Sequence, residues 1–360
     1  MPSEEVTCAM TATRPTLDTV AQAAGVSRMT VSNAYNRPDQ LSAATRERVL
    51  AVAAELGYGG PDPAGRSLRR GRAGTVGVLL TENLTYAFTD AGLVQFLRGV
   101  ADEMSSAGMA MLLLPADADH DGALVRGAIV DAFIVCSIWE DDPAVQAVRS
   151  RRLPFVSSGS PRLTGAPYVG IDNASSAALA ADHLLELGHR RLGIVALPED
   201  MPVEPSDSVV RVRRGFAQRV TGFVERAAES QVAPETIAIV DAATNSTEAG
   251  IAAGRALLGR RPRPTAVFAV SDVLALGVLA AADELGIDVP GGVSVIGFDN
   301  IDEAAHTRPG LTTVAQDLRE QGRTAARMAL ALVEGAKVRS APRTPHVLVR
   351  GSTAAPRRRR

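Results

Sequence analysis

Residues 16–35 read TLDTVAQAAGVSRMTVSNAY. Leu17, Val20, Ala21 and Ala24 recur at helical spacing, which predicts a first short helix with one buried stripe. Gly25 follows, and glycine adopts the left-handed backbone of a sharp helix end without steric cost. Val26 is apolar, and Ser27 is a good N-cap for a second helix. On that helix Val31, Ala34 and Tyr35 fall on one face, with Arg28, Met29, Ser32 and Asn33 on the other. A helix that buries one stripe and shows Arg, Ser and Asn opposite it suits the major groove of DNA. Helical periodicity alone fits equally well a helical hairpin packed against another element.

The following segment completes a small head. Ser42 reads as the N-cap of a third helix whose Val49, Val52, Ala53 and Leu56 are spaced for burial. Gly57 stands where such a helix ends. The expected DNA-binding unit is therefore 14–58. Residues 1–13 show no periodicity and are expected to form a disordered tail. Residues 59–74, GGPDPAGRSLRRGRAG, are rich in Gly, Pro and Arg and read as a hinge or linker.

Bulk composition narrows the function classes. The chain has 360 residues, enough for two or three domains, and 46% are hydrophobic, enough for a sizeable core. No apolar run approaches the ~20 residues of a membrane span. The opening MPSEEVTCAM carries two acids and no basic residue, unlike a secretory signal, so a cytoplasmic location is expected. Cys8 and Cys136 are too few and too far apart for a disulfide framework. Net charge is −2, yet residues 14–74 carry nine arginines against five acids. A basic head on an acidic body suits a protein that meets phosphates with one end.

From Thr75 the pattern changes to apolar, β-branched runs alternating with helical stretches. Strands are predicted at 75–80, 109–114, 131–137, 154–158, 168–171, 191–197, 237–240, 265–270 and 293–298. Helices are predicted at 91–106, 174–187, 209–228, 247–258, 272–285 and 317–334. Near-continuous apolar strands between helices mean parallel sheets covered on both faces. There are too many for one small sheet, so two doubly wound lobes are expected over 75–352. The end of the chain, 353–360, finishes in Arg357–Arg360 and reads as a solvated basic tail; its functional alternative is nonspecific phosphate affinity.

Several blocks together resemble the lactose/galactose repressor family. In the head they are Leu17, Val20-Ala21, Ala24-Gly25-Val26-Ser27, Thr30-Val31-Ser32, Asn36, Leu41-Ser42, Thr45-Arg46 and Leu56-Gly57-Tyr58. In the body they are IDNASSAALAADHLLELGHRRLGIV at 171–195, PTAVFAVSDVLALGVLAAADELGIDVPGGVSVIGFDN at 264–300, LTTVAQDLREQGRTA at 311–325 and LVRGST at 348–353. The resemblance implies an α/β chain: an N-terminal three-helix helix-turn-helix head and a two-lobed, doubly wound, periplasmic-binding-protein-like body. It implies crossings between the lobes near 172, 299 and 326, with an effector in the cleft. It also implies that 61–68 is a hinge that folds on DNA, where Leu68, beside Arg66, is the wedge pushed into the minor groove. The chain departs from the family in four places. One residue is inserted near Gly59-Gly60, and Gly65 replaces the usual Ala. Val212 stands where the family has Arg, with Arg211 beside it as the replacement. Gly159 stands where many relatives carry Asp.

Candidate chemistry follows. Arg28, Met29 and Asn33 are base-reading candidates, because Arg forks onto guanine, Asn pairs with adenine and Met presses a thymine methyl. Thr16, Thr30, Ser32 and Asn36 are candidate phosphate contacts, with helix capping as the plainer role for Thr16. In the cleft, loops at strand carboxyl ends are the usual ligand positions. Asp172 and Asp299 there match family positions that contact effector. Ser271 and Arg211 are further candidates, and Asp272 is expected to cap the helix after it. Tyr86, Phe88 and Thr89 follow the first strand, where the family stacks an aromatic; core packing is the alternative for Phe88.

Enzyme motifs are largely missing: the single lysine, Lys337, lies in no phosphate-cradling loop, and no G-x-G-x-x-G follows Val78. His183 and His189 read as structural, and no cofactor or metal is expected. The expected function is an allosteric, sequence-specific transcription regulator and non-enzyme. It would be a homodimer on a pseudo-palindromic double-stranded operator, with a small-molecule effector and no membrane partner. The rival readings are a solute-binding protein using the same body and a doubly wound enzyme such as a dehydrogenase, for which the phosphate-cradling glycine motif is missing.

Overall fold

The computed structural model describes residues 15–60, 71–81, 83–116, 121–198, 200–202, 209–211 and 214–357. The chain divides into two units, Met1–Ala73 and Gly74–Arg360.

In the first unit, α1 (Leu17–Ala24) is capped by Thr16, whose hydroxyl accepts from the Thr19 amide. Gly25 then takes φ 64°, and the Val26 amide reaches back to the Ala21 carbonyl at 3.0 Å. Ser27 caps α2 (Arg28–Asn36), and Ser42 caps α3 (Ala43–Glu55). Val20, Ala21, Ala24, Val31, Ala34, Val49 and Ala53 form the core, with Tyr35 packed edge-on to Tyr58. Leu56, expected in the buried stripe, is exposed. It is the C-cap of α3, and Gly57 turns the chain away at φ 67°.

The second unit contains two parallel sheets. The first combines β1 (Thr75–Leu80), β2 (Ala110–Pro115), β3 (Ala132–Cys136), β4 (Phe155–Ser158) and β5 (Tyr168–Gly170). The second combines β6 (Leu192–Ala196), β9 (Ala238–Asp241), β10 (Ala266–Ala269), β11 (Ser294–Asp299) and β12 (Thr312–Ala315). A separate hairpin pairs β7 (Asp200–Pro202) with β8 (Val209–Arg211). Near the end, β13 (Ala341–Pro342) joins the first sheet and β14 (His346–Leu348) the second. The orders are β13-β5-β4-β3-β1-β2 and β14-β12-β11-β10-β6-β9, and β14 alone runs antiparallel within them. Val76, Val78 and Leu80 face one buried layer, and Leu79 with Phe133 and Val135 the other. Burial on both faces explains why these strands read as unbroken apolar runs.

Helices cover the sheets. In the first lobe these are α4 (Leu84–Thr89), α5 (Ala91–Ser106), α6 (Ala123–Gly127) and α7 (Pro143–Ser150). In the second they are α8 (Asn173–Glu186), α9 (Arg214–Glu229), α10 (Thr247–Leu258) and α11 (Asp272–Glu284). Finally α12 (Leu318–Val333) returns to pack on α5, so closely that a Cβ on Gly99 would collide with the Arg319 carbonyl. Phe223 of α9 stacks on Phe268 of β10 at 4.8 Å in the second-lobe core.

Three expectations need correction. The helix expected at 209–228 begins at Arg214, because the β-branched run Val209-Val210 pairs as a hairpin strand. The lobe crossings fall near 172, at 316–317 and at 343–345, in place of 299 and 326. After β11 the chain adds β12 to the same sheet, and α12 is one unbroken helix on the first lobe. The end of the chain is also held further than expected. The Val295 amide donates to the Ser352 carbonyl, and the Ala354 amide to Ser294 Oγ, at 2.8 and 3.0 Å. Among the described residues no helix is long and apolar enough to cross a membrane.

Candidate DNA interface and ligand cleft

In the head, α2 exposes Arg28 and Met29, while Ser32 and Asn33 are partly buried. Met29 is 69% exposed, and among the described residues Arg28 is held only by a solvent-facing ion pair to Asp18 at 3.6 Å. Such pairs contribute about 0–1 kcal/mol, so the guanidinium is available to a base edge. Asn33 is partly buried and donates to Gln40 Oε1 at 3.3 Å. Ser27 Oγ lies 2.9 Å from Thr30 Oγ1, and Asn36 Nδ2 donates to the Ser32 carbonyl at 2.9 Å. These bonds fix the α2 surface before any partner arrives. No acid lies in the first turn of α2, so its free amides keep their affinity for a phosphate. Thr16 is occupied as the cap of α1. Arg66 and Leu68 lie outside the described residues.

In the body, a cavity of about 100 Å³ opens where the strand carboxyl ends of the two lobes meet. Its floor is built by Arg219 of α9. The guanidinium Nε donates to Asn173 Oδ1 at 3.0 Å, and Nη1 donates to the Val270 carbonyl at 2.6 Å and to Asp299 Oδ1 at 3.1 Å. Its carbon sits 3.7 Å from the Phe298 ring centroid. The Arg219–Asp299 pair is largely buried, with side chains 9% and 12% exposed. Gln316 Nε2 also donates to Asp299 Oδ1, and Asp299 holds φ 119°, a backbone strain at the end of β11.

The opposite wall comes from the first lobe. Asp90 caps α5 through the Leu93 amide at 2.6 Å and accepts from Tyr86 Oη at 2.6 Å. It also accepts from Asn245 Nδ2, across the cleft, at 2.8 Å. Asn245 Oδ1 in turn accepts from Ser271 Oγ at 2.6 Å. The two lobes are thus joined through side chains that line the cavity or lie directly behind it.

Behind the floor lies Asp272. Contrary to expectation it does not cap α11; Ser271 does, while the Asp272 carboxyl is buried and accepts from Thr313 Oγ1 at 2.6 Å and the Ile301 amide at 3.0 Å. Burial, and then the charge of Asp299, push its carboxyl up to about 7. His189 is buried between Thr265, Ser294 and the Ala354 carbonyl, and burial lowers its pKa. His183 lies 2.9 Å from Thr353 Oγ1.

The cleft candidates are brought together only in part. Asp299 lines the cavity, and Tyr86 reaches its rim through Asp90. Asp172 does not line it: its exposed carboxylate caps α8 by accepting from the Ser175 amide, and its neighbour Asn173 points inward instead. Phe88 is 69% exposed, in neither cavity nor core. Thr89 donates to carbonyls of its own helix, at Thr85 and Tyr86. Arg211 lies in β8, with its side chain outside the description. Sequence reasoning missed Asp90, Asn173, Arg219 and Asn245. Arg219 carried a signal: it falls on the same helical stripe as Phe216, Val220 and Phe223, where a cation must have a buried partner.

Comparison with known proteins decides the family. Residues 16–60 match the family described as "Bacterial regulatory proteins, lacI family", and residues 181–353 match a "Periplasmic binding protein-like domain". An HTH-type transcriptional regulator of Mycobacterium tuberculosis is 40% identical over 327 residues, covering 88% of this chain and 90% of its own. The chain belongs to the lacI family. The HTH-type transcriptional repressor CytR of Escherichia coli is 35% identical, with 95% of this chain and 97% of CytR covered. Among solved structures, a CelR–cellobiose complex superimposes with TM-score 0.65 at 32% identity, covering 94% of this chain and all of that one. The lacI-family head and body together make this chain a DNA-binding transcriptional regulator under ligand control.

Asp272 generates a pH prediction. The folded chain keeps a proton on this carboxyl that the unfolded chain releases near pH 4. Stability contributed there is full below that value and is lost as pH rises towards 7. Urea unfolding at pH 5 and pH 8 should show the wild type less stable at the higher pH, and Asp272→Asn should flatten that difference. An equal slope in the variant would assign it to other groups.

Proposed function

We propose that this regulator is a cytoplasmic homodimeric repressor whose effector is a small, uncharged, polyhydroxylated molecule. One head reads only a few base pairs, so specificity calls for two recognition helices on a pseudo-palindromic site. Arg28, Met29 and Asn33 would read bases, while Thr30, Ser32 and Asn36 position the head on phosphates. The CytR relative is a repressor, which supports the same sign of control here.

The observation that carries the effector reading is the convergence of donors and acceptors from both lobes on one cavity. A ring hydroxyl both donates and accepts. It would accept from Arg219 and Asn173 and donate to Asp299 and Asp90. An anionic ligand would have to take Arg219 from Asp299, leaving that carboxylate buried beside Asp272. The CelR relative holds cellobiose, a neutral sugar, in its complex. Ligand hydroxyls that replace the Asp90–Asn245 bond would change how the lobes meet, and that rearrangement would reach the DNA-binding unit. The reading is one of binding and release, with no reaction assigned to the cleft.

Exchanging Arg28 and Met29 should change which duplexes are selected from a random library, at about 1–3 kcal/mol per altered base contact. Weaker binding with an unchanged sequence profile would remove these residues from base reading. For the cleft, titration calorimetry with neutral sugars and cyclic polyols should find a ligand. Arg219→Gln should weaken that ligand about 10- to 100-fold, the loss of one charged hydrogen bond. Undiminished affinity in the variant would place the effector elsewhere.

A further inference from the structure

The second lobe has a feature that the effector cleft does not use. Strands β6, β10 and β11 begin side by side, and the residues just before them line an open groove at the strand amino ends, the edge away from the cleft. Arg191, Arg261, Arg263 and Arg357 all line it, with Pro264 and Pro290 stiffening its walls. Among the described residues that line the groove none is acidic; the nearest carboxylate, Asp288, lies beside Gly291 and Arg357.

The arginines are oriented but largely uncompensated. Arg191 Nε donates to the Arg263 carbonyl at 3.3 Å, and Arg263 Nε to the Leu258 carbonyl at 3.0 Å. Arg261 Nη1 donates to the carbonyls of Gly259 and Arg260. Backbone carbonyls fix these side chains without neutralising them. Among the described residues only Arg357 has an ion pair, an exposed one to Asp288 at 3.0 Å. Arg357 is brought here by the bonds that tie Ser352 and Ala354 to β11, and the sequence continues with three more arginines. A like-charged cluster held open in this way lowers its energy by meeting a polyanion.

The lining also narrows the choice of polyanion. Among the described residues it contains no aromatic ring on which a base could stack, and Gly291 and Gly292 contribute bare backbone to it. Such a surface suits a sugar-phosphate backbone and reads no sequence. Duplex DNA is the polyanion that a DNA-binding regulator always meets. We propose that this arginine groove is a second, sequence-independent contact of the body with the phosphodiester backbone of duplex DNA, separate from the reading head.

The test uses the full chain and a random-sequence duplex. The dependence of log affinity on log salt is compared between the wild type and the triple variant Arg191→Gln, Arg261→Gln, Arg263→Gln. Each phosphate contact contributes about 0.9 to that slope, so the triple variant should lose between about 2 and 3 from it. The corresponding triple lysine variant should retain the slope. Arg261→Gln alone, a single exposed change, should lose about 1 and serves if the triple variant does not fold. An unchanged slope in the glutamine variants would overturn the proposal. So would polyglutamate binding to the wild type but not to the triple variant while the salt slope for the duplex is the same in both, which would assign the groove to an acidic polypeptide.

Discussion

Parallel pairing governs the body of this protein. Two parallel strands cannot be joined by a tight turn, so each must be followed by a crossover, and all carboxyl ends collect on one edge of the sheet. With two such sheets in one chain, those edges meet across a cleft, and that is where Asp90, Asn173, Asn245 and Asp299 converge. The same constraint gathers the strand amino ends on the far edge, where the arginine groove forms. A sheet of either hand of direction would have scattered these loops over both edges. The chain crosses between lobes three times, near 172, at 316–317 and at 343–345, so any change in the cleft strains three connections together.

The cleft floor is electrostatically costly by construction. Arg219, Asp299 and Asp272 are buried close together, and burying charge is favourable only when every partner is in place. Here the guanidinium also has an aromatic face at Phe298, a carbonyl at Val270 and an amide at Asn173. Such a cluster has few equivalent arrangements. Replacing one of its bonds by a ligand hydroxyl therefore disturbs the rest, which is the property a ligand-controlled switch requires.

Legibility in the sequence followed the range of the interactions. The head was readable almost residue by residue, because Gly25, Ser27 and Ser42 act on the turn next to them. The strands were readable because burial on both faces leaves apolar runs such as TVGVLL at 75–80. The crossings at 316–317 and 343–345 were not, since α12 joins the first lobe through α5, and β13 through β5, each more than a hundred residues away. In the cleft, the expected Asp299 lines the cavity, whereas Asp172 caps α8 and its neighbour Asn173 faces in. At a helix start one residue decides between capping outward and pointing inward. Arg219 was visible as a cation on an apolar stripe, yet only the fold shows that Asn173 and Asp299 await it. Asn245, in a loop without periodicity, left no signal at all.

The central claim is that cleft and reading head share one equilibrium, and linkage makes that measurable. With an effector found by titration and an operator selected from random duplexes, two ratios are compared. One is the factor by which saturating effector changes operator affinity; the other is the factor by which operator changes effector affinity. The account predicts equal factors, in the range of about 5 to 150. An effector that binds with the same affinity whether or not the operator is present would contradict it.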